Sequence, residues 1–190
     1  MIRIVSEAPA EAGAREALLD LAFGKARHRK TSERLRRNRL PAEGLSLSAK
    51  LGNGRIIGTL RLWHVSAGEN RAALLLGPLA VHPSHQKRGI GSLLMREALA
   101  RAAALGHRAV ILVGDEPYYR RFGFARELAE NLHMPGPFER HRLLAREFVP
   151  GALANAHGII RAAGETIPHA PKTSTGIAAR SLTSRVRRAS

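Results

Sequence analysis

One stretch constrains this chain more than any other: Leu79-Ala80-Val81-His82-Pro83-Ser84-His85-Gln86-Lys87-Arg88-Gly89-Ile90-Gly91-Ser92-Leu93-Leu94. An apolar run stops at a proline-containing turn. Gln-x-x-Gly-x-Gly follows, and then an amphipathic helix begins. Glycines just ahead of a helix let the backbone curl so that several N–H groups point at one spot. That spot also sees the positive end of the helix dipole. The local chemistry is therefore anion binding at a strand-to-helix turn, with a tight structural turn as the plainer reading. Two phosphate loops are excluded by pattern. A Walker A loop needs Gly-Lys-Ser/Thr, which is absent. A dinucleotide fingerprint needs a third glycine three residues after the second, where Leu94 stands.

The flanking pattern sets the fold class. Ile2 to Val5 reads as a strand, and Pro9 suits the first turn of a helix reaching Phe23. Ala14, Leu18, Leu21 and Ala22 fall near one face of that helix. Thr31 or Ser32 is placed to cap a short helix through Asn38. Leu45, Leu47, Ala49 and Leu51 alternate with small or polar residues, Gly52-Asn53-Gly54 signals a hairpin, and Ile56 to Val65 returns. Gly68-Glu69-Asn70 turns the chain into Ala72–Val81. From Ile90 to Leu105 the period is helical, with Leu93, Leu94, Ala98, Leu99, Ala102 and Leu105 sharing a broad apolar face and Gly106 as its stop. Ala109 to Val113 is apolar without interruption, as in a strand covered on both faces. A short helix carries Tyr118 and Tyr119, and His141 to Phe148 is the last strand candidate. Antiparallel strands come first and a strand–helix–strand unit follows, which a crossover between parallel neighbours satisfies. The expected class is α+β, or mixed α/β, around one central sheet.

At 190 residues the chain fits one domain with an appendage. No apolar run reaches the ~20 residues that span a bilayer. The absence of cysteine excludes disulfides, thiolate zinc sites and a cysteine nucleophile. With no secretory pattern at its start, the chain is expected to be cytoplasmic. The formal charge of +16 is unevenly spread: residues 24–39 hold eight Lys/Arg against one acid, and residues 150–190 six against one. Such segments attract nucleic acid, anionic surfaces or anionic small molecules, or serve only solubility. After Pro150 the composition shifts to Ala, Gly, Ser, Thr and Arg with weak periodicity. The expected division is a domain over residues 1–150 and a basic tail over 151–190, partly disordered past Pro168.

Leu79–Phe124 as a whole resembles the core of the GNAT superfamily of acyl-CoA-dependent N-acetyltransferases. The family loop Gln/Arg-x-x-Gly-x-Gly/Ala is matched by Gln86, Gly89 and Gly91, after a matching strand Leu79-Ala80-Val81-His82-Pro83. The second family signature, an aromatic pair leading to an apolar residue, Gly and Phe, is matched by Tyr118-Tyr119-Arg120-Arg121-Phe122-Gly123-Phe124. Leu75-Leu76-Gly77-Pro78-Leu79 and Leu112-Val113-Gly114-Asp115 point to the bacterial YhbS-like branch. The resemblance extends loosely over residues 2–150 and implies a mostly antiparallel twisted sheet flanked by helices.

The nine histidines are scattered and none pairs at helical i,i+4 spacing in the middle of the chain, so no metal is expected; the resemblance implies further that acetyl-CoA is the co-substrate. Backbone amides over Gln86, Lys87, Arg88, Gly89, Ile90, Gly91 and Ser92 would hold its pyrophosphate. Leu79, Ala80 and Val81 would pair with the pantetheine arm like an added strand. Tyr118 would pack against the cofactor or the core. Tyr119 would be the general acid that protonates the leaving thiolate, since a phenol with pKa near ~10 holds its proton at neutral pH. The acceptor is an amine, with Phe23 to Pro41 shaping its site and an anionic acceptor as one hypothesis. The base is open among His64, His82, Glu43, Asp115, Glu116 and a water chain. Dimers are common in such enzymes. Two other readings stand beside this one: a basic nucleic-acid-binding protein using residues 24–39 and the tail, and an acyl-CoA-binding module without catalysis. The eight aromatics and the lack of a stacking cluster in the basic segments weigh against the first.

Overall fold

The computed structural model describes residues 1–168. In chain order it runs β1 Ile2–Ser6, α1 Ala12–Phe23, α2 Thr31–Arg34, β2 Ser46–Leu51, β3 Ile56–Ser66, β4 Ala72–Val81, α3 Ile90–Ala104, β5 Ala109–Val113, α4 Glu116–Tyr119, β6 Leu132–His133, β7 Leu143–Glu147, β8 Gly158–Ile159 and β9 Arg161–Ala162. The main sheet has the order β1-β2-β3-β4-β5-β7, with β9 added to β3. Its neighbours are antiparallel except β4 and β5, which are joined through α3 and run parallel. This is the α+β mixed sheet that the strand order called for. Among the described residues no helix is long and apolar enough to cross a membrane.

Alternation along the strands gives the sheet two apolar faces. One buries Leu47, Ile57, Leu74 and Val110 beneath Ile90, Leu94, Met95, Ala98 and Ala102 of α3. Gly58 allows this close approach, because a Cβ there would meet Leu94 at 2.9 Å and Ala49 at 3.2 Å. Leu93 and Leu105, expected on the buried face, are 44% and 55% exposed. The 3.6-residue stripe through Ile90, Leu94 and Ala98 puts Leu93 on its flank and gives the inner place to Met95.

The second face buries Trp63, Val65, Leu75 and Ile111 under Leu35 and residues 129–160, and α1 covers its upper end through Leu18 and Leu19 on Ala80. The α1 face also differs from expectation. Ala14 is exposed, Leu21 is 55% exposed, and Arg15 is buried. Arg15 pairs with the buried Glu7, which Arg61 of β3 also grips at 2.5 and 3.0 Å. A charge buried in this way leaves no trace in an apolar pattern.

The domain edge expected at residue 150 is moved by the structure. Ala152, Leu153, Ala156 and Ile160 are buried in the second core, and β9 pairs with Val65 and Ser66. Leu40 N–H donates to Glu165 O, and Ile167 N–H to Asn38 O. Small residues such as alanine bury fully with little periodic signal, which is why the segment reads as tail-like. The expectation of disorder past Pro168 lies outside the described residues. Expected helix capping also changes: Thr31 does not cap α2 but hydrogen-bonds the Pro137 carbonyl, and α2 is a single turn.

Candidate active site

The site begins where β4 and β5 part. Their parallel pairing is confined to Leu74–Val110 and Leu75–Ile111. The β3–β4 register then shifts between Leu60 and Leu62, which lie opposite Leu79 and Leu76. The extra residues are Gly77 and Pro78, and a proline cannot donate to the ladder. Beyond this bulge β4 stays on β3 through Leu79, Ala80 and Val81, while its β5-facing edge is free.

The direction of each backbone group on that edge follows from one bond. His82 N–H donates to Ile57 O at 2.8 Å, toward β3. Backbone groups alternate sides along a strand. Leu79 and Val81 therefore present N–H and C=O to the free edge, and Ala80 presents its pair to β3. The Ala80 side chain is buried under α1. Of the three strand residues expected to meet a ligand, Leu79 and Val81 present backbone groups to this edge and Ala80 does not. The Val81 carbonyl already accepts from the Gln86 side-chain amide at 3.1 Å.

The turn that follows has the backbone geometry of an anion cradle. Gln86 N–H is taken by Pro83 O at 3.3 Å, so the free donors start one residue later than expected. Lys87 at φ 60° and Gly89 at φ 77° are both left-handed. Such turns make concave sets of N–H groups. Gly89 precedes α3, and Leu93 N–H is the first to reach back into the helix, to Gly89 O at 3.0 Å. The amides of Ile90, Gly91 and Ser92 are thus left pointing out of the helix start. The Ile90 side chain is core, so only its backbone is offered. The side chains of Lys87 and Arg88 are exposed beside this set.

The tyrosines sit between cradle and cleft. Pro117 and the Asp115 carbonyl, which accepts from Tyr118 and Tyr119 N–H, start α4. The Asp115 side chain makes no cap and pairs with Arg142 at 3.3 Å. The Tyr118 hydroxyl lies 3.0 Å from where a Cβ on Gly91 would stand, with the Arg121 guanidinium 4.1 Å over its ring. Tyr119 packs edge-on against Tyr118 and Phe124 and lies flush on Gly114. Burial pushes its hydroxyl up to about 12, with Tyr118 and Asp115 adding to the rise and Arg142 opposing it. The phenol is a proton-holding group at neutral pH.

Both tyrosines line a cleft of about 750 Å³ that runs from the parted strands to a wall formed by Phe23, Lys30 and Arg36 on one side and Met134, Phe138 and Arg142 on the other. Residues 23–36 belong to the Phe23–Pro41 segment expected to shape the acceptor site, and they form one wall of this cleft. The wall from residues 134–142 was not foreseen; its one signal is an aromatic set in the turn-rich run Met134-Pro135-Gly136-Pro137-Phe138. Much of the basic segment is bonded to the protein itself. Burial works against the charge of Arg27, but Asp20 at 2.8 Å and Glu16 outweigh it and raise its pKa. Arg34 and Arg39 donate to the carbonyls of Pro135 and Gly164.

Of the five side chains considered as base, Asp115 lines the cleft and the other four do not. His64 is exposed on β3 beside His107, His82 bonds Ser84 in its own turn, Glu43 is an exposed loop residue, and Glu116 bonds Arg120. Glu33 and Glu139 also line the cleft.

A sheet parted at a β4 bulge, with a free strand edge running into an amide cradle at a helix start, defines an acyl-CoA-dependent transferase fold. The comparisons name it: the chain belongs to the GNAT family of N-acetyltransferases. The acetyltransferase (GNAT) domain pattern matches residues 44–126. The uncharacterized N-acetyltransferase YhbS of Escherichia coli K12 is 30% identical over 149 residues, covering 75% of this chain and 87% of that protein. The crystal structure of E. coli YhbS in complex with CoA superposes with a TM-score of 0.71 at 27% identity, over 86% of this chain and 89% of that one. A GNAT family acetyltransferase from Brucella melitensis in complex with acetyl-CoA has a TM-score of 0.61 at 27% identity, over 90% and 97% of the two chains. Both tyrosines and the cradle fall inside the matched domain, whereas the cleft walls at 23–36 and 134–142 fall outside it.

Proposed function

We propose that this protein transfers the acetyl group of acetyl-CoA to a primary amine by direct attack within a ternary complex. The observation that carries this reading is the continuity of the free β4 edge, the amide cradle and the protonated Tyr119 phenol around one opening. The amides of Ile90, Gly91 and Ser92 bind the pyrophosphate, and the exposed edge at Leu79 and Val81 hydrogen-bonds the amide-bearing pantetheine arm. That both named relatives of known structure carry CoA or acetyl-CoA supports the assignment. A new C–N bond forms as the thioester C–S bond breaks. The attacking amine gives up its protons to solvent or a cleft carboxylate. Val81 N–H is oriented to donate to the oxyanion, and Tyr119 supplies the proton that leaves on the CoA thiol.

The test is CoA-thiol release from acetyl-CoA with a panel of amino acids, dipeptides and their amides, polyamines, amino sugars and a lysine peptide. Wild type should turn over at least one class. Tyr119→Phe should retain acetyl-CoA binding and lose roughly 10²-fold in kcat. An unchanged kcat with chemistry rate-limiting overturns the role of Tyr119. Saturable acetyl-CoA binding with no transfer to any amine favours a non-catalytic module instead.

A further inference from the structure

One of the cations lining the cleft is both buried and short of an acceptor. Arg36, just past α2, has a side chain only 9% exposed. Its Nη2 bonds Ser32 Oγ at 3.3 Å and pairs with Glu33 at 3.0 Å. Its Nε is buried with no hydrogen-bond partner among the described residues, and Nη1 lies 3.8 Å from where a Cβ on Gly77 would stand. Burial pushes its pKa below the usual arginine value, with Glu33 opposing. A guanidinium so placed still carries its charge. An unmatched donor on a buried cation is unfavourable until an acceptor arrives.

Its position relative to the chemistry follows from the strand register. Leu74–Val110 and Leu75–Ile111, carried two residues onward, set Gly77 level with Val113. The next residue, Gly114, bears the Tyr119 ring. Arg36 and Tyr119 thus flank the parted strands at one level. Tyr119 belongs to the α3 face, while Leu35, next to Arg36, belongs to the opposite core. The arginine therefore approaches from the side away from the amide cradle. Across the cleft the Nε of Arg142 is likewise buried without a partner among the described residues. Six arginine and lysine side chains line the cleft against three carboxylates. Two of those carboxylates, Asp115 and Glu139, are held by Arg142 and the third by Arg36.

We propose that the acceptor is a small amine that also carries a carboxylate, an amino acid or short peptide in chemical class, and that Arg36 binds that carboxylate. The inference rests on the acetyltransferase reading above. A hydrogen-bonded charge pair in a desolvated cleft is worth roughly a tenfold to hundredfold in kcat/KM over the neutral amide of the same molecule.

The experiment compares amino acids and dipeptides with their C-terminal amides, in wild type, Arg36→Lys and Arg36→Met, each checked for an intact melting transition. Expected is a preference for the acid in wild type that falls toward unity in Arg36→Met. Equal rates for acid and amide in wild type, a preference unmoved by either Arg36 variant, or exclusive use of polyamines overturns the inference and leaves the acetyltransferase reading standing. A second arm needs no turnover. Trp63, the only tryptophan, donates to Gly77 O at 2.6 Å and so reports on this corner by its fluorescence. N-acetylated amino acids should bind more tightly than N-acetylated amides in wild type but not in Arg36→Met. If no amine is turned over, this arm alone decides the carboxylate site: tighter binding of the acid upholds it, and equal binding overturns it.

Discussion

Replacing Gly114 by alanine displaces Tyr119 without removing its hydroxyl. Gly114 is not among the left-handed glycines, so its backbone accepts a side chain. Space does not. A Cβ would stand 2.2 Å from Cε2, 2.8 Å from Cδ2 and 3.1 Å from Cζ of the Tyr119 ring. Carbon contacts are comfortable near ~3.5 Å, so the ring must retreat by about 1 Å. It is wedged against Tyr118 and Phe124 and cannot simply rotate aside. A misplacement of about 1 Å at a catalytic group costs on the order of 10² in rate. Overpacking of this kind costs about 1–3 kcal/mol in stability. The assay is CoA-thiol release at saturating acetyl-CoA with the best acceptor of the panel, alongside acetyl-CoA calorimetry and a melting curve. Expected is a folded protein that binds acetyl-CoA and has a kcat near that of Tyr119→Phe. A folded Gly114→Ala with wild-type kcat refutes the reasoning, because the ring position would then not matter to the chemistry.

Two more outcomes follow from particular side chains. Since the Tyr119 hydroxyl is pushed up to about 12, its neutral, donating form persists through pH 10. The ratio of wild-type to Tyr119→Phe kcat should therefore stay constant from pH 7 to about pH 10; a ratio that collapses near pH 10 contradicts a buried, protonated phenol. Glu7→Gln should lower stability by about 3 kcal/mol, because Arg61 loses its carboxylate at 2.5 and 3.0 Å while Arg15 keeps Glu16 at 2.7 Å. A loss below about 1 kcal/mol in urea unfolding would mean that the pair is as weak as a surface one.

Local periodicity made the strands, α3 and the glycine turn legible, because each depends on residues near in sequence. Gly89 needs its positive φ whatever the rest of the fold does. The misread places share a cause. Apolarity alone does not fix a helix face: Leu93 and Leu105 lie off the buried stripe of α3, and Arg15 is buried because Glu7, outside its helix, pairs with it. Residues 151–162 read as tail because alanine and glycine carry little pattern, yet they complete the second core.

By itself, the sequence determined the strand, the Gln86–Gly91 turn and the Tyr118-Tyr119 pair, contiguous motifs whose backbone chemistry is local. Tertiary structure alone decided the cleft beside them. The Gly77-Pro78 bulge opens β4 from β5 only because β3 holds its other edge. Arg36 and Tyr119 are 83 residues apart in number. They become level across the same opening because parallel register sets Gly77 beside Val113. A charge becomes selective when it is desolvated and left short of an acceptor, and no stretch of sequence records that.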